Sequence, residues 1–133
     1  MAQKNPVLDL SFLAGADLST DTSSTVSQRY RAVKLNAAVE RSVVVVAAAS
    51  DVIIGVQQNL PDTGELVDVA VLGTTKVRAG AATTANGYLK LDAAGKFIDG
   101  GAGADVNWAI GLEAAAADGD VIEALLLHPS ITT

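Results

Sequence analysis

Apolar and polar residues alternate in short stretches along this chain, and turn residues separate the stretches, which predicts strands throughout. The predicted strands are Tyr30–Leu35, Ser42–Ala47, Val52–Gln57, Glu65–Leu72, Thr75–Ala79, Tyr88–Leu91, Phe97–Ile98, Trp108–Leu112 and Val121–Leu127. Val67, Val69 and Val71 share one face, with Asp68 opposite. Val77 points inward while Lys76 and Arg78 point out, and Leu89 and Leu91 oppose Tyr88 and Lys90. Pro61-Asp62-Thr63-Gly64, Asn86-Gly87, Asp92-Ala93-Ala94-Gly95 and Asp118-Gly119 carry turn chemistry. The alanine clusters Ala47–Ala49 and Ala114–Ala117 are too short to nucleate helices and read as loop or a single turn.

A weak repeat organises these strands. Ile54-Gly55-Val56 precedes a loop and then Gly64-Glu65-Leu66-Val67-Asp68-Val69-Ala70-Val71-Leu72. Ile110-Gly111-Leu112 precedes Gly119-Asp120-Val121-Ile122-Glu123-Ala124-Leu125-Leu126-Leu127 in the same way. Glycine within a strand marks a bulge or corner, and closed sheets need corners. The expected fold is all-β: a small β-barrel or tulip-like domain over residues 29–133, preceded by an extended N-terminal arm and polar linker over 1–28.

The arm carries its own pattern. Leu8, Leu10 and Phe12 form one wholly apolar strand face, alternating with Val7, Asp9, Ser11 and Leu13. Ser19–Gln28 is nearly all polar and offers a core nothing to bury. An apolar strip on a polar tether predicts a segment that docks; 28 extended residues reach roughly 90 Å. Lys4 followed by Val7–Leu13 and Ala14-Gly15-Ala16 loosely imitates a secretory leader, but Asp9 interrupts the apolar stretch and argues against one.

Composition sharpens the core. Half of the 133 residues are hydrophobic but only 4% are aromatic; alanine (24) and valine (16) fill the interior. The length fits one domain. With no cysteine there is no disulfide, thiol nucleophile or Cys-based metal site. A net charge of −6 makes DNA and anionic membranes poor partners. The nearest basic patch, Arg29, Arg31 and Lys34 around Tyr30, lacks repeated aromatics and reads as a solvated strand face. The longest apolar run, Val43–Ala49, is far below the ~18 residues of a membrane span.

Candidate chemistry is sparse. The single histidine, His128, has no Gly-x-Ser-x-Gly elbow to work with and reads as a surface residue. Asp118-Gly119-Asp120 falls short of a calcium loop, and Gly100–Asp105 lacks the Gly-Lys-Ser/Thr of a phosphate loop. No catalytic residue, cofactor or metal site is expected. The last strand carries one anomaly. Ile122, Ala124 and Leu126 can fill the core, which leaves Leu125 and Leu127 on the outward face, to be covered either by this chain or by another subunit.

The chain resembles the small capsid cement, or head decoration, proteins of tailed bacteriophages. The resemblance spans nearly its whole length. It rests on Met1–Leu8, Ala16–Ser19, Tyr30–Leu35, Ile54–Asn59 with Pro61 and Gly64, Val71–Val77, Ala79–Ala81 and Ile110–Ala115, in that order and spacing. The polar stretch Ser19–Gln28 is longer than the family's linker. The resemblance implies a structural protein on the outer surface of the virion's capsid. Such proteins commonly form trimers and clamp neighbouring major capsid protein subunits against internal DNA pressure. The candidate capsid-binding residues are then Pro6, Val7, Leu8, Leu10, Phe12 and Leu13 of the arm, and the candidate homo-oligomer interface is Leu125 and Leu127. The alternatives are a small acid-based hydrolase and a β-barrel ligand-binding or carrier module; a carrier would show a modifiable lysine at a hairpin tip, whereas Lys90 lies within a predicted strand and Lys96 follows the Asp92–Gly95 turn without a modification motif.

Overall fold

The computed structural model describes residues 5–131. Among them there are nine strands and no helix: β1 (Asn5–Ala14), β2 (Ala32–Leu35), β3 (Ser42–Val45), β4 (Gly55–Gln57), β5 (Leu66–Arg78), β6 (Tyr88–Leu91), β7 (Phe97–Asp99), β8 (Val106–Gly111) and β9 (Val121–Ile131). Each predicted strand has a counterpart, but Tyr30–Leu35 begins only at Ala32 and Val52–Gln57 shrinks to Gly55–Gln57, its first half being loop. Glu65–Leu72 and Thr75–Ala79 are joined into the single strand β5, which passes through Gly73 at φ +92°. That conformation is open to glycine and lets the strand turn without ending. Both alanine clusters are loops.

The sheet closes on itself. Its order is β1-β3-β2-β4-β5-β9-β8-β6-β7, and β1 also pairs with β5. The strands β1, β3, β2, β4 and β5 therefore form a closed five-stranded barrel, as a chain of small β-branched residues with regular corners is expected to do. The second half of β5 continues into β9, β8, β6 and β7. A single parallel bridge from Ala79 to Phe97 brings this arc back to β5 as a second, looser ring.

The two rings are copies of one unit. In the N-terminal ring β1 runs parallel to β3, β3 pairs with β2, β2 with β4, β4 with β5, and β5 with β1. In the C-terminal ring β5, β7, β6, β8 and β9 repeat those relations in the same sequence order. Strand β5 ends the first unit and begins the second. The copy extends to single bonds. Ala14 N–H donates to Glu65 O and Ala79 N–H to Asp120 O, both at 2.8 Å; Gly64 N–H donates to Ala14 O and Gly119 N–H to Ala79 O, again at 2.8 Å. Tyr30 and Asn86 both have positive φ, and each donates to the opposite strand, to Gln57 O and Gly111 O. Lys34 pairs with Asp51 as Lys90 pairs with Asp105.

These registers correct the sequence alignment of the repeat. Its second part holds, with Gly64 matching Gly119. Its first part is displaced by two residues: Val56 pairs with Ala70 as Ile110 pairs with Leu125, so Gly111 matches Gln57 and Gly55 matches Ala109. Gly55 is set by packing of its own, because a Cβ there would run into the carbonyl of Ala70 and lie 2.7 Å from Val69 Cγ1.

Two cores result. Ala14, Leu18, Val33, Val43, Val67 and Val69 fill the N-terminal ring. The larger core is centred on Leu89, Leu91, Phe97, Trp108 and Ile122 of the C-terminal ring, and it also takes in Ala32, Val56 and Ala70 from the N-terminal ring. One face of the first ring thus closes the second.

Candidate interaction surfaces

The residues assigned to a docking arm belong to a barrel strand. β1 pairs with β5 from Asn5 opposite Thr74 to Leu13 opposite Leu66, with irregular register around Leu8, and with β3 at Leu13 and Ala14. Leu8, Leu10 and Leu13 are nevertheless exposed, and Phe12 is half-buried beneath the Arg41 guanidinium, 5.7 Å from its ring centre. The side chains of Pro6, Val7 and His128 lie outside the described part of the structure. The pattern that made the face apolar is thus present on a strand held by this chain's own β5.

The polar stretch after β1 is tied down at its end, where Ser27 is buried, while residues 20–26 stay exposed. Arg31 Nε donates to Ser27 O at 2.8 Å, and its Nη2 to Thr25 O at 3.2 Å. Arg78 Nη2 donates to Ser27 Oγ at 3.1 Å, and Lys96 Nζ to Thr25 O at 3.0 Å. Arg78, expected to point outward, is buried; its other nitrogens donate to Gly119 O and Arg29 O. Burial lowers its pKa below the ordinary arginine value, against the opposing charge of Asp21. Arg31 is part-buried in the same grip and does not stand on a solvated face. Arg31 and Arg78 thus tie together residues on both sides of the expected 28/29 boundary. What holds Thr25–Ser27 is hydrogen bonding to its backbone and hydroxyls, so a stretch with nothing apolar to bury still finds an ordered place.

The two outward leucines part company. Leu125 lies beside Ile110, which lies beside Tyr88, so the three form one cross-strand row over β9, β8 and β6. Tyr88 and Leu125 are exposed and Ile110 half-buried. Leu127 is half-buried and lines an apolar cleft of about 110 Å³ with Ile53, Ile54, Leu72 and Trp108. Tyr88 and Ile110 were missed in the sequence. The signal was there: Val33-Lys34-Leu35-Asn36-Ala37-Ala38 and Leu89-Lys90-Leu91-Asp92-Ala93-Ala94 are the same strand and turn twice, which makes Tyr88 the counterpart of Ala32.

The described residues hold no cluster of His, Asp and Glu fit for a metal ion, and no helix long and apolar enough to cross a membrane. A groove of about 320 Å³ runs beside the duplicated loops, lined by Ala49, Ser50, Lys90, Leu91, Asp105 and Val106. Its charged groups, Lys90 and Asp105, pair with each other at 3.1 Å. Lys96 is buried and bound to Asp118 at 2.7 Å.

The fold has a solved counterpart. The head fiber gp8.5 N base of bacteriophage phi29 superposes with a TM-score of 0.68, covering 95% of this chain and 100% of that one at 16% identity. No family model matches this chain. No curated protein matches it.

Proposed function

We propose that this chain is a structural protein of a phage head, a cement or decoration protein that adds to the outside of the mature capsid and braces the major capsid protein. The observation that carries the reading is the shared fold with the phi29 head fiber base across nearly the whole of both chains. The independent resemblance to head decoration proteins points the same way. In this reading the protein acts as a homo-oligomer, a trimer by the family's habit, without catalysis, cofactor, nucleic acid or membrane. The exposed Leu8 and Leu10, on one face of β1, offer an apolar strip for the capsid.

The carrier reading finds less support. Of the two lysines it turns to, Lys90 is paired with Asp105 and Lys96 is buried against Asp118.

The test is addition of the purified protein to expanded heads that lack it, followed by sedimentation and a thermal melt of the heads. Binding and a raised melting temperature are expected. No binding would overturn the reading. Truncating residues 1–18 is the wrong control, because it removes a barrel strand. Leu8→Asp with Leu10→Asp keeps the strand, and is expected to abolish addition while the protein stays folded.

A further inference from the structure

The junction between the rings has two sides, and the duplication identifies a counterpart for each. On the N-terminal side lies the cross-strand row Ala32, Val56 and Ala70, fully buried within the core of the C-terminal ring. Its register counterparts are Tyr88, Ile110 and Leu125. There, Tyr88 is 45% and Leu125 37% exposed. On the other side of the junction lie Leu91, at 2% exposure, and the turn after it, where Gly95 O accepts the N–H of Ala32 at 2.8 Å. Their counterparts are Leu35, 56% exposed, and the turn after it, which carries Val39 at 53%. The molecule thus ends, at one pole, on a copy of the face the chain buries internally. At the other pole it ends on a copy of one part of the cover of that face, the strand end at Leu91 and the turn that meets Ala32.

We infer that a second copy of this chain seats its Leu35–Val39 end on the Tyr88–Ile110–Leu125 row. The chain itself supplies the reason for choosing this occupant, since it already joins the equivalent pair of surfaces once. The new contact is not a literal repeat. Tyr88 replaces Ala32, and the turn from Leu35 to Ser42 is longer than that from Leu91 to Lys96. Tyr88 adds apolar surface where a partner would need it, and the longer turn adds Val39 flanked by the exposed charges of Glu40 and Arg41. Two different faces meet, so the contact is heterologous: each copy keeps one free end of each kind, and the assembly closes into a ring or extends. This deepens the oligomeric part of the reading above by naming the surfaces and their polarity.

Complementation tests it. Leu35→Lys and Leu125→Lys each alter an exposed side chain, and Trp108 fluorescence reports whether the variants are folded. In sedimentation equilibrium the wild type is expected to self-associate and each variant to remain monomeric. An equimolar mixture of the two is expected to form a dimer and stop there, since one sound contact survives between them. Because the chain has no cysteine, Leu35→Cys and Leu125→Cys provide a second measurement. Mixed and oxidised, they should cross-link, while Leu125→Cys alone should not. A monomeric wild type, a mixture that stays monomeric, or cross-linking of Leu125→Cys with itself would overturn the contact. If those outcomes came with undiminished addition to heads, only this contact would fall and the head role would stand.

Discussion

The agreement between the two units reaches down to single carboxylates. Asp51 accepts from Lys34 Nζ at 2.8 Å and from the backbone N–H groups of Ala47 and Ala48. Asp105 accepts from Lys90 Nζ at 3.1 Å and from Ala102 N–H. In both, the lysine hydrogen bond is the largest influence and holds the carboxyl below its ordinary value of 3.8. A carboxylate whose pKa is depressed on folding contributes stability above its unfolded pKa and loses it as pH falls through the folded one. Asp51→Asn and Asp105→Asn should therefore each destabilise the protein at pH 7 and converge with the wild type well below pH 3.8. Urea melts at neutral and acid pH measure this; a difference independent of pH would refute it. Residues such as Arg78 show where the sequence is silent. Alternation placed it outward, but what it meets there is Ser27 and Arg29 on one side and Gly119 on the other, all far away in the chain. A local pattern carries no information about such a neighbour.

At the scale of the strand, local pattern was nearly sufficient. Val67 and Val69 inside with Asp68 outside, and Leu89 and Leu91 inside with Tyr88 outside, follow from the two-residue period alone. Pairing was harder to read, because it depends on which strands meet. The glycines make the point. Gly55 and Gly111 look equivalent in sequence, yet only Gly55 sits where β4 is pressed onto the backbone of β5. At Gly111 the nearest obstacle to a Cβ is the movable Leu89 Cδ1 at 3.3 Å. Gly55→Ala should cost about 1–3 kcal/mol, the usual penalty of overpacking, and Gly111→Ala clearly less. Equal losses in denaturant unfolding would show that β4 has more room than its contacts imply.

For the molecule as a whole, the shared strand decides how the two rings behave together. β5 is the last wall of one and the first wall of the other, its first half pairing with β1 and its second half with β9, so the two rings are continuous through one strand. The interiors are joined as well, since Ala32, Val56 and Ala70 of the first ring lie in the core of the second. Melting the C-terminal ring would bare those three residues and release the distal half of β5, while melting the N-terminal ring would remove the floor of the larger core. Phe97, fully buried in that larger core, is the place to probe the coupling. Phe97→Ala is expected to cost about 3–5 kcal/mol by loss of burial and the cavity left behind. If the rings form one cooperative unit, that loss falls on both. Trp108 fluorescence, reporting the C-terminal ring, and far-ultraviolet circular dichroism, reporting all strands, should then give one coincident transition in wild type and variant alike. A fluorescence transition that moves ahead of the dichroism in Phe97→Ala would mean that the first ring stands without the second. The duplication would then join two modules, not divide one.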